Sequence, residues 1–277
     1  MRKSVLDLQK MKAGNHKIAM ITAYDFMMAR HVDAAGVDVV LVGDSVGMVV
    51  QGHSDTLSVT LEQMIYHSTC VDRGLTNAHL CVDMPFMTYQ VSPEQALTNA
   101  GRLVQEGRAQ SVKVEGPIPN TVERIVAAGI PVFGHLGLVP QSVNALGGFR
   151  VQGKGEKAAS ILINQAKELE EAGASALILE MIPAILAAEL SHQLSIPTIG
   201  IGAGVGCDGQ VLVCSDLLGM QLDFTPRFLK RYARLEENIR SAVVDYVDEV
   251  RAEEFPSPEN SFGLRGKEAV LAKLYGK

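Results

Sequence analysis

The chain of 277 residues contains no tryptophan, and aromatic residues are 5% of it against 47% hydrophobic residues in all. Its apolar content is therefore aliphatic, rich in Val, Ile, Leu and Ala, as a parallel sheet buried on both faces requires. No Pro/Ser-rich linker, charge block or low-complexity tract interrupts it, and its 26 glycines are spread throughout. Nothing in the composition argues for two domains. No apolar run approaches the ~20 residues of a membrane span. There is no basic excess either: the formal charge is −6 and the pI is near 5.7, which excludes the basic face of a nucleic-acid binder. The stretch Met1–Lys17 mixes charged and apolar residues without a hydrophobic core, so no signal peptide is expected. Cysteines 70, 81, 207 and 214 show no C-x-x-C spacing, and Cys81 and Cys214 lie in apolar strand-like runs, where a small buried hydrophobe is the default. The expectation is a reduced, cytoplasmic protein with neither nucleic-acid nor membrane partners.

What is present is alternation. Short apolar runs, read as strands, cover 18–23, 37–42, 80–84, 111–114, 131–136, 176–179, 198–201 and 210–213. Helix-period segments lie between them, among them 60–73, 93–106, 121–128, 156–172 and 183–193. Ser92-Pro93 before Glu94 is a helix cap followed by proline at the first helical position. Gly36, Gly74, Gly107, Gly129 and Gly173 stand at helix exits, where a left-handed residue is expected. Strand–helix alternation repeated eight times reads as a single parallel (β/α)8 TIM barrel, and 277 residues suit the roughly 250 of such a barrel. A helical extension is expected at each end: Val5–Met11, and Phe228–Glu254 after the eighth strand. The barrel domain is placed at 1–262, with a tail of open role at 263–277.

In a parallel barrel the chemistry sits where strands end and βα loops begin. Those positions hold Tyr24-Asp25, Asp44-Ser45, Asp83, Lys113-Val-Glu115, His135, Glu180 and Gly200-Ile-Gly-Ala-Gly204. Five acidic residues converging on one face need neutralisation, because like charges a few ångströms apart cannot all stay ionised. A divalent cation held by Asp44, Asp83 and Glu115 is the simplest answer, and an all-oxygen ligand set selects Mg²⁺. The plain alternative for Asp83 is a loop cap before Pro85. Lys113 and Glu115, two apart, point to one side of their strand. A lysine in the barrel mouth is either an imine-forming nucleophile or a cation for an anionic substrate, and a neighbouring metal favours the second. Glu180 ends the apolar run Leu177-Ile-Leu and suits a general acid or base, with an ion pair as its structural alternative. His135 can bond substrate or Glu180. His31, His67, His79 and His192 read as structural or solvated. Gly43, Gly47, Gly200, Gly202 and Gly204 would permit close backbone approach to a ligand.

With their surroundings these residues resemble the ketopantoate hydroxymethyltransferase family. The motifs are Thr22-Ala-Tyr-Asp25, Val42-Gly-Asp-Ser-Val-Gly-Met48, Gln51-Gly-His53, Val82-Asp-Met-Pro-Phe-Met87 and Val112-Lys-Val-Glu-Gly116. Gly134-His-Leu-Gly-Leu138, Pro140-Gln-Ser-Val-Asn144, Val151-Gln-Gly153, Leu179-Glu-Met-Ile-Pro183, Ile199-Gly-Ile-Gly-Ala-Gly204, Asp208-Gly-Gln-Val211 and Phe255-Pro256 follow in unbroken order. The match spans about residues 5–262. Departures from the family pattern at Ser54-Asp55, Ser58, Pro117, Val139 and Asn260 leave the candidate site untouched.

The resemblance implies transfer of a hydroxymethyl group from 5,10-methylenetetrahydrofolate, as co-substrate, to 3-methyl-2-oxobutanoate through a Mg²⁺-stabilised enolate. The product would be 2-dehydropantoate (ketopantoate), on the route to pantothenate and coenzyme A. By position it implies Mg²⁺ at Asp44, Asp83 and Glu115, and the oxo acid at Asp44, Ser45, Asp83, Lys113 and His135. Glu180 would move the proton, and the chain would form a homo-oligomer. One rival is a metal-dependent lyase of the isocitrate lyase and phosphoenolpyruvate mutase group, which lacks the match at Lys113–Glu115, Gly134–Gln141 and Gly200–Gly204. The other is an inactive barrel kept for binding, which should have lost some strand-end polar groups.

Overall fold

The computed structural model describes residues 1–148, 150–221, 225–262 and 273–274. Eight strands close a barrel in chain order. They are β1 (Ile18–Thr22), β2 (Val39–Val42), β3 (His79–Asp83), β4 (Ser111–Glu115), β5 (Val132–Gly137), β6 (Ala176–Glu180), β7 (Thr198–Ile201) and β8 (Gly209–Leu212). Every pairing is parallel, including the closing one, where Ile18 meets Gly209 and Ile21 meets Leu212. Helices Phe26–Ala34, Leu61–Asp72, Pro93–Gln105, Pro119–Val126, Glu156–Glu171 and Ala184–Gln193 connect successive strands up to β7. Ser92 caps Pro93–Gln105 as the sequence suggests, its hydroxyl accepting from the Gln95 N–H at 3.2 Å.

The period of two along a strand sorts side chains between two apolar layers. Outward residues such as Val40, Val82, Val112, Leu177 and Leu179 pack with the helices. Inward residues Ile18, Met20, Val39, Leu41, Cys81, Phe133, Ile178 and Ile199 fill the barrel, and Leu8 of helix Val5–Ala13 belongs to the same cluster. His79, placed by the sequence outside a strand, opens β3 inside this layer. Its ring stacks on Phe133 at 5.8 Å and bonds the Ser111 hydroxyl at 2.8 Å. With Cys81, Ser111, Phe133 and Ile178 inward, the same alternation sends Asp83, Lys113, Glu115, His135 and Glu180 inward at the strands' C-terminal ends.

Two expectations change. Gly74 and Gly107 are not left-handed. A Cβ on Gly74 would lie 2.7 Å from Ala29 Cβ, and one on Gly107 would lie 2.6 Å from the Leu103 carbonyl, so both are sites of close packing. The left-handed residue after helix Pro93–Gln105 is instead Arg108, at φ 64°. The late helix spans Leu235–Arg251 and does not begin at Phe228. Arg227, Lys230, Arg231 and Arg234 would crowd positive charge at a helix N-terminus, whereas Glu236 and Glu237 in the observed first turn complement the helix dipole. Among the described residues, those of 1–217 and 225–230 form one compact unit and those of 218–221 and 231–274 a second, which contains this helix. The domain expected at 1–262 therefore takes in parts of both units, and of the tail at 263–277 only Lys273 and Leu274 lie within the described residues.

Outside the strands the barrel wall depends on Asp33, at the end of helix Phe26–Ala34. Its carboxylate accepts from the N–H groups of Thr76, Asn77 and Ala78 and from the Thr76 hydroxyl, at 2.6–3.1 Å. Burial opposes ionisation, but these donors hold the pKa down at about 2, against an ordinary 3.8. Because the folded value is the lower one, the stabilisation is complete above the unfolded value and is lost as pH falls through about 2. The shift corresponds to roughly 2 kcal/mol. Asp33→Ala should lose about 3 kcal/mol at pH 7 in urea unfolding, since three backbone donors are left without their acceptor. The difference from the native chain should shrink below pH 3.8, and a pH-independent difference would contradict this account.

Candidate active site

The site is built outward from Lys113. Its ammonium lies 2.9 Å from Asp83 Oδ2, one strand away, and 3.5 Å from Glu115 Oε1 on its own strand. The register explains both contacts: Asp83 pairs with Lys113 across β3–β4, and Glu115 pairs with His135 across β4–β5. His135 continues the chain of charges, with Nδ1 3.3 Å from Glu115 Oε1 and Nε2 3.3 Å from Glu180 Oε2. Neither contact is aligned as a hydrogen bond, so the ring is held between two carboxylates by charge. Asp44, just beyond β2, joins through its backbone N–H, which donates to Asp83 Oδ2 at 3.0 Å. A Cβ on Gly43 would fall 2.8 Å from Ser45 Oγ, so a side chain there would displace the Ser45 hydroxyl. The Ser45 hydroxyl shares a 2.8 Å hydrogen bond with the buried Tyr24 hydroxyl.

Burial and mutual charge set the protonation states. Burial alone would depress the Lys113 ammonium, but Asp83, Glu115 and Asp44 raise its pKa well above that of a free lysine. Burial would likewise lower His135, yet Glu115 and Glu180 bring it up to about 9, so the ring is a cation at neutral pH. Burial pushes Glu115 up, and Lys113 with His135 more than reverses this. Asp44 differs: burial and then the charges of Asp83 and Glu115 drive its carboxyl well above the ordinary range. Four carboxylates thus face two cations, and the shortage of positive charge falls on Asp44.

The structure brings together every strand-end residue expected to act except Asp25. That carboxylate caps helix Phe26–Ala34, accepting from the Met28 N–H at 2.8 Å, and is exposed. Helix capping is the commonest use of aspartate at this position. Asp44, Asp83 and Glu115 are not gathered as a ready ligand set: among the described residues no three His, Cys, Asp or Glu side chains are so grouped. The Lys113 ammonium lies between Asp83 and Glu115. Gly202 and Gly204 also have another use. A Cβ on Gly202 would lie 2.9 Å from the Phe228 ring, and one on Gly204 would strike Ala184, so the run serves internal packing. A cavity of about 500 Å³ lies between helix Phe26–Ala34 and Gly74, Thr76 and Asn77; none of the strand-end groups lines it.

Two polar residues at the centre of the site escaped the sequence reading. Gln141, in the loop after β5, donates from its side chain to Asp44 Oδ2 at 2.8 Å and from its backbone N–H to Glu115 Oε2 at 2.9 Å. The Tyr89 hydroxyl donates to Gln141 Oε1 at 2.5 Å and accepts from the Glu115 N–H at 3.0 Å. The available signal was position, since Gln141 follows closely on a strand end; an uncharged amide otherwise looks like a loop residue.

Fold and site together define the class: a β/α-barrel enzyme with its chemistry on the C-terminal ends of its strands. A sequence profile described as ketopantoate hydroxymethyltransferase matches residues 2–258. The chain is 52% identical over 277 residues to the 3-methyl-2-oxobutanoate hydroxymethyltransferase of Enterococcus faecalis, covering 99% of this chain and 100% of that protein. It is 55% identical over 276 residues to the enzyme of the same name from Dehalococcoides mccartyi strain ATCC BAA-2266 / KCTC 15142 / 195, covering 99% and 97%. The chain belongs to the ketopantoate hydroxymethyltransferase family. Among solved structures it is similar to phosphonopyruvate hydrolase (TM-score 0.62, 11% identity, 100% of this chain and 95% of that one). It is similar also to 2,3-dimethylmalate lyase of the PEP mutase/isocitrate lyase superfamily (TM-score 0.60, 14% identity, 99% and 100%). These two likenesses concern the fold.

A protonated, ion-paired Lys113 is a poor nucleophile. Borohydride added with 3-methyl-2-oxobutanoate should therefore leave the mass of the protein unchanged. A reduced adduct on Lys113 would move the site to imine chemistry.

Proposed function

We propose that this chain transfers a hydroxymethyl group from 5,10-methylenetetrahydrofolate to 3-methyl-2-oxobutanoate, giving 2-dehydropantoate for pantothenate and coenzyme A synthesis. The observation that carries this reading is the unbroken line of charged groups from Asp44 to Glu180 across β2–β6, in a chain more than half identical to enzymes named 3-methyl-2-oxobutanoate hydroxymethyltransferase.

The residues present fit a Mg²⁺ ion. Asp83 Oδ1 is buried without a hydrogen-bond partner, the Asp44 N–H donates to the other oxygen of that carboxylate, and Glu115 Oε1 faces Lys113 and His135 at 3.5 and 3.3 Å. Hard oxygen donors, two carboxylates and otherwise water or substrate oxygens are what Mg²⁺ takes. Asp44 and Asp83 would hold it, with Glu115 contributing through water. Bound there, Mg²⁺ supplies Lewis-acid polarisation of the 2-oxo group.

The chain's own groups account for the rest. Lys113 binds the carboxylate of the oxo acid, and Ser45, held by Tyr24, bonds an oxygen of the same substrate. Glu180 is the proton-transfer group. Its side chain retains 16% exposure against 3% for His135, so it alone of this pair is open to a ligand. It takes the C3 proton, and the electron pair left at C3 forms the new bond to the folate-borne carbon; both carbon–nitrogen bonds to that carbon break, water supplies the hydroxyl, and the C3 proton and one proton of the water end on the two nitrogens of the departing tetrahydrofolate. His135, a cation 3.3 Å from Glu180 Oε2, holds that carboxylate in place. Proton transfer of this kind is worth roughly 10²–10⁴-fold.

We also read the protein as a cytoplasmic homo-oligomer. Its four cysteines are free, and among the described residues no helix is long and apolar enough to cross a membrane. Helix Leu235–Arg251 leaves Ile239, Val243, Val244, Tyr246 and Val250 exposed, a surface suited to another protein.

Product formation from 3-methyl-2-oxobutanoate and methylenetetrahydrofolate should cease on chelation and return with Mg²⁺, and Asp83→Ala should remove most activity in a folded protein. Glu180→Gln should bind oxo acid and Mg²⁺ yet lose exchange of the C3 proton with deuterated water, with turnover down about 10²-fold or more. Native exchange in Glu180→Gln would pass the proton role to another group. Full turnover after exhaustive chelation would remove the metal from the reaction.

A further inference from the structure

The hydrogen bonds around Gln141 form a closed circuit. The Glu115 N–H donates to the Tyr89 hydroxyl, which donates to Gln141 Oε1, and the Gln141 N–H returns to Glu115 Oε2. Gln90 Nε2 donates to the same Oε1 at 3.0 Å. With Oε1 receiving two donors, the amide can face in only one sense, and its two protons go to Asp44 Oδ2 and to the Met84 carbonyl, both within 2.9 Å. Tyr89 and Gln141 are at most 4% exposed, so the circuit itself is shielded from water, whereas Gln90 reaches it from the exposed side. One amide thereby ties together the βα loops after β2, β3 and β5 and the end of β4.

We propose that Gln141 is the positioning residue of the site, with Tyr89 fixing the sense of its amide. Gln141 keeps Asp44 Oδ2 an acceptor and fixes the direction of both the Asp44 and the Glu115 carboxylates. A partner that orients a metal-ligating carboxylate typically contributes 10–100-fold to metal affinity. The inference rests on the reading of Asp44 as a Mg²⁺ ligand.

The test is a double-mutant cycle on the full chain with Gln141→Leu and Tyr89→Phe. It reads Mn²⁺ affinity by electron paramagnetic resonance without substrate, steady-state kinetics with Mg²⁺, and the thermal midpoint. Gln141→Leu should weaken Mn²⁺ binding about 10–100-fold and lower kcat/KM for the oxo acid while the midpoint moves by only a few degrees. Tyr89→Phe should do the same to a smaller extent, and the double variant should match Gln141→Leu, because Tyr89 acts through the amide. Tyr89→Phe, which removes one oxygen atom, decides the matter by itself if Gln141→Leu does not fold. Native Mn²⁺ affinity and native kinetics in either folded variant, or additive losses in the double variant, would overturn the proposal. If the native chain binds no Mn²⁺, the metal reading fails on its own account, and the kinetic cycle then decides the role of Gln141.

Discussion

The ion pair of Lys113 with Asp83, extended to Glu115, is the interaction on which the site depends. Charges this deeply buried persist only when paired, since removing one partner strands the other in a medium that cannot solvate it. The barrel makes the pairing possible by register: parallel strands place Asp83, Lys113, Glu115 and His135 on adjacent strands, all directed inward. The apolar layer of Cys81, Phe133 and Ile178 beneath them excludes water from below, which strengthens every contact above it.

From that arrangement follow the distinct characters of the polar groups. Lys113 and His135 are held as cations and Glu115 as an anion, whereas Asp44 sits where negative charge is already in excess. Glu180, at the edge of the line and partly open, is suited to exchange a proton with what is bound. The neutral circuit of Tyr89 and Gln141 contributes direction without altering this charge balance.

The likenesses to solved structures sharpen the distinction between fold and chemistry. Phosphonopyruvate hydrolase and 2,3-dimethylmalate lyase share the architecture at 11–14% identity. A barrel hosts many chemistries through changes in its loops. In this chain the strand-end groups from Asp83 to Glu180 and the loop after β5 that carries Gln141 make up the site.

Much of this was legible in one dimension. Strand alternation is a local property of apolar residues bounded by caps and glycines, so all eight strands could be located from the sequence, and a polar residue ending an apolar strand marks itself. Asp44, Asp83, Lys113, Glu115, His135 and Glu180 announced themselves in that way. Partnership was not legible. That Asp25 caps a helix, that Gly202 and Gly204 are filled by Phe228 and Ala184, and that Lys113 stands between two expected metal ligands depend on distances between segments far apart in the chain. Gln141 is the clearest case, because an amide carries no charge or period to betray it and gains its meaning from Asp44, 97 residues earlier. The sequence by itself determined which groups line the barrel mouth, because the side-chain period of a strand is local. Only the tertiary structure decided which of them hold one another, because buried electrostatics depends on through-space separation and on the exclusion of water.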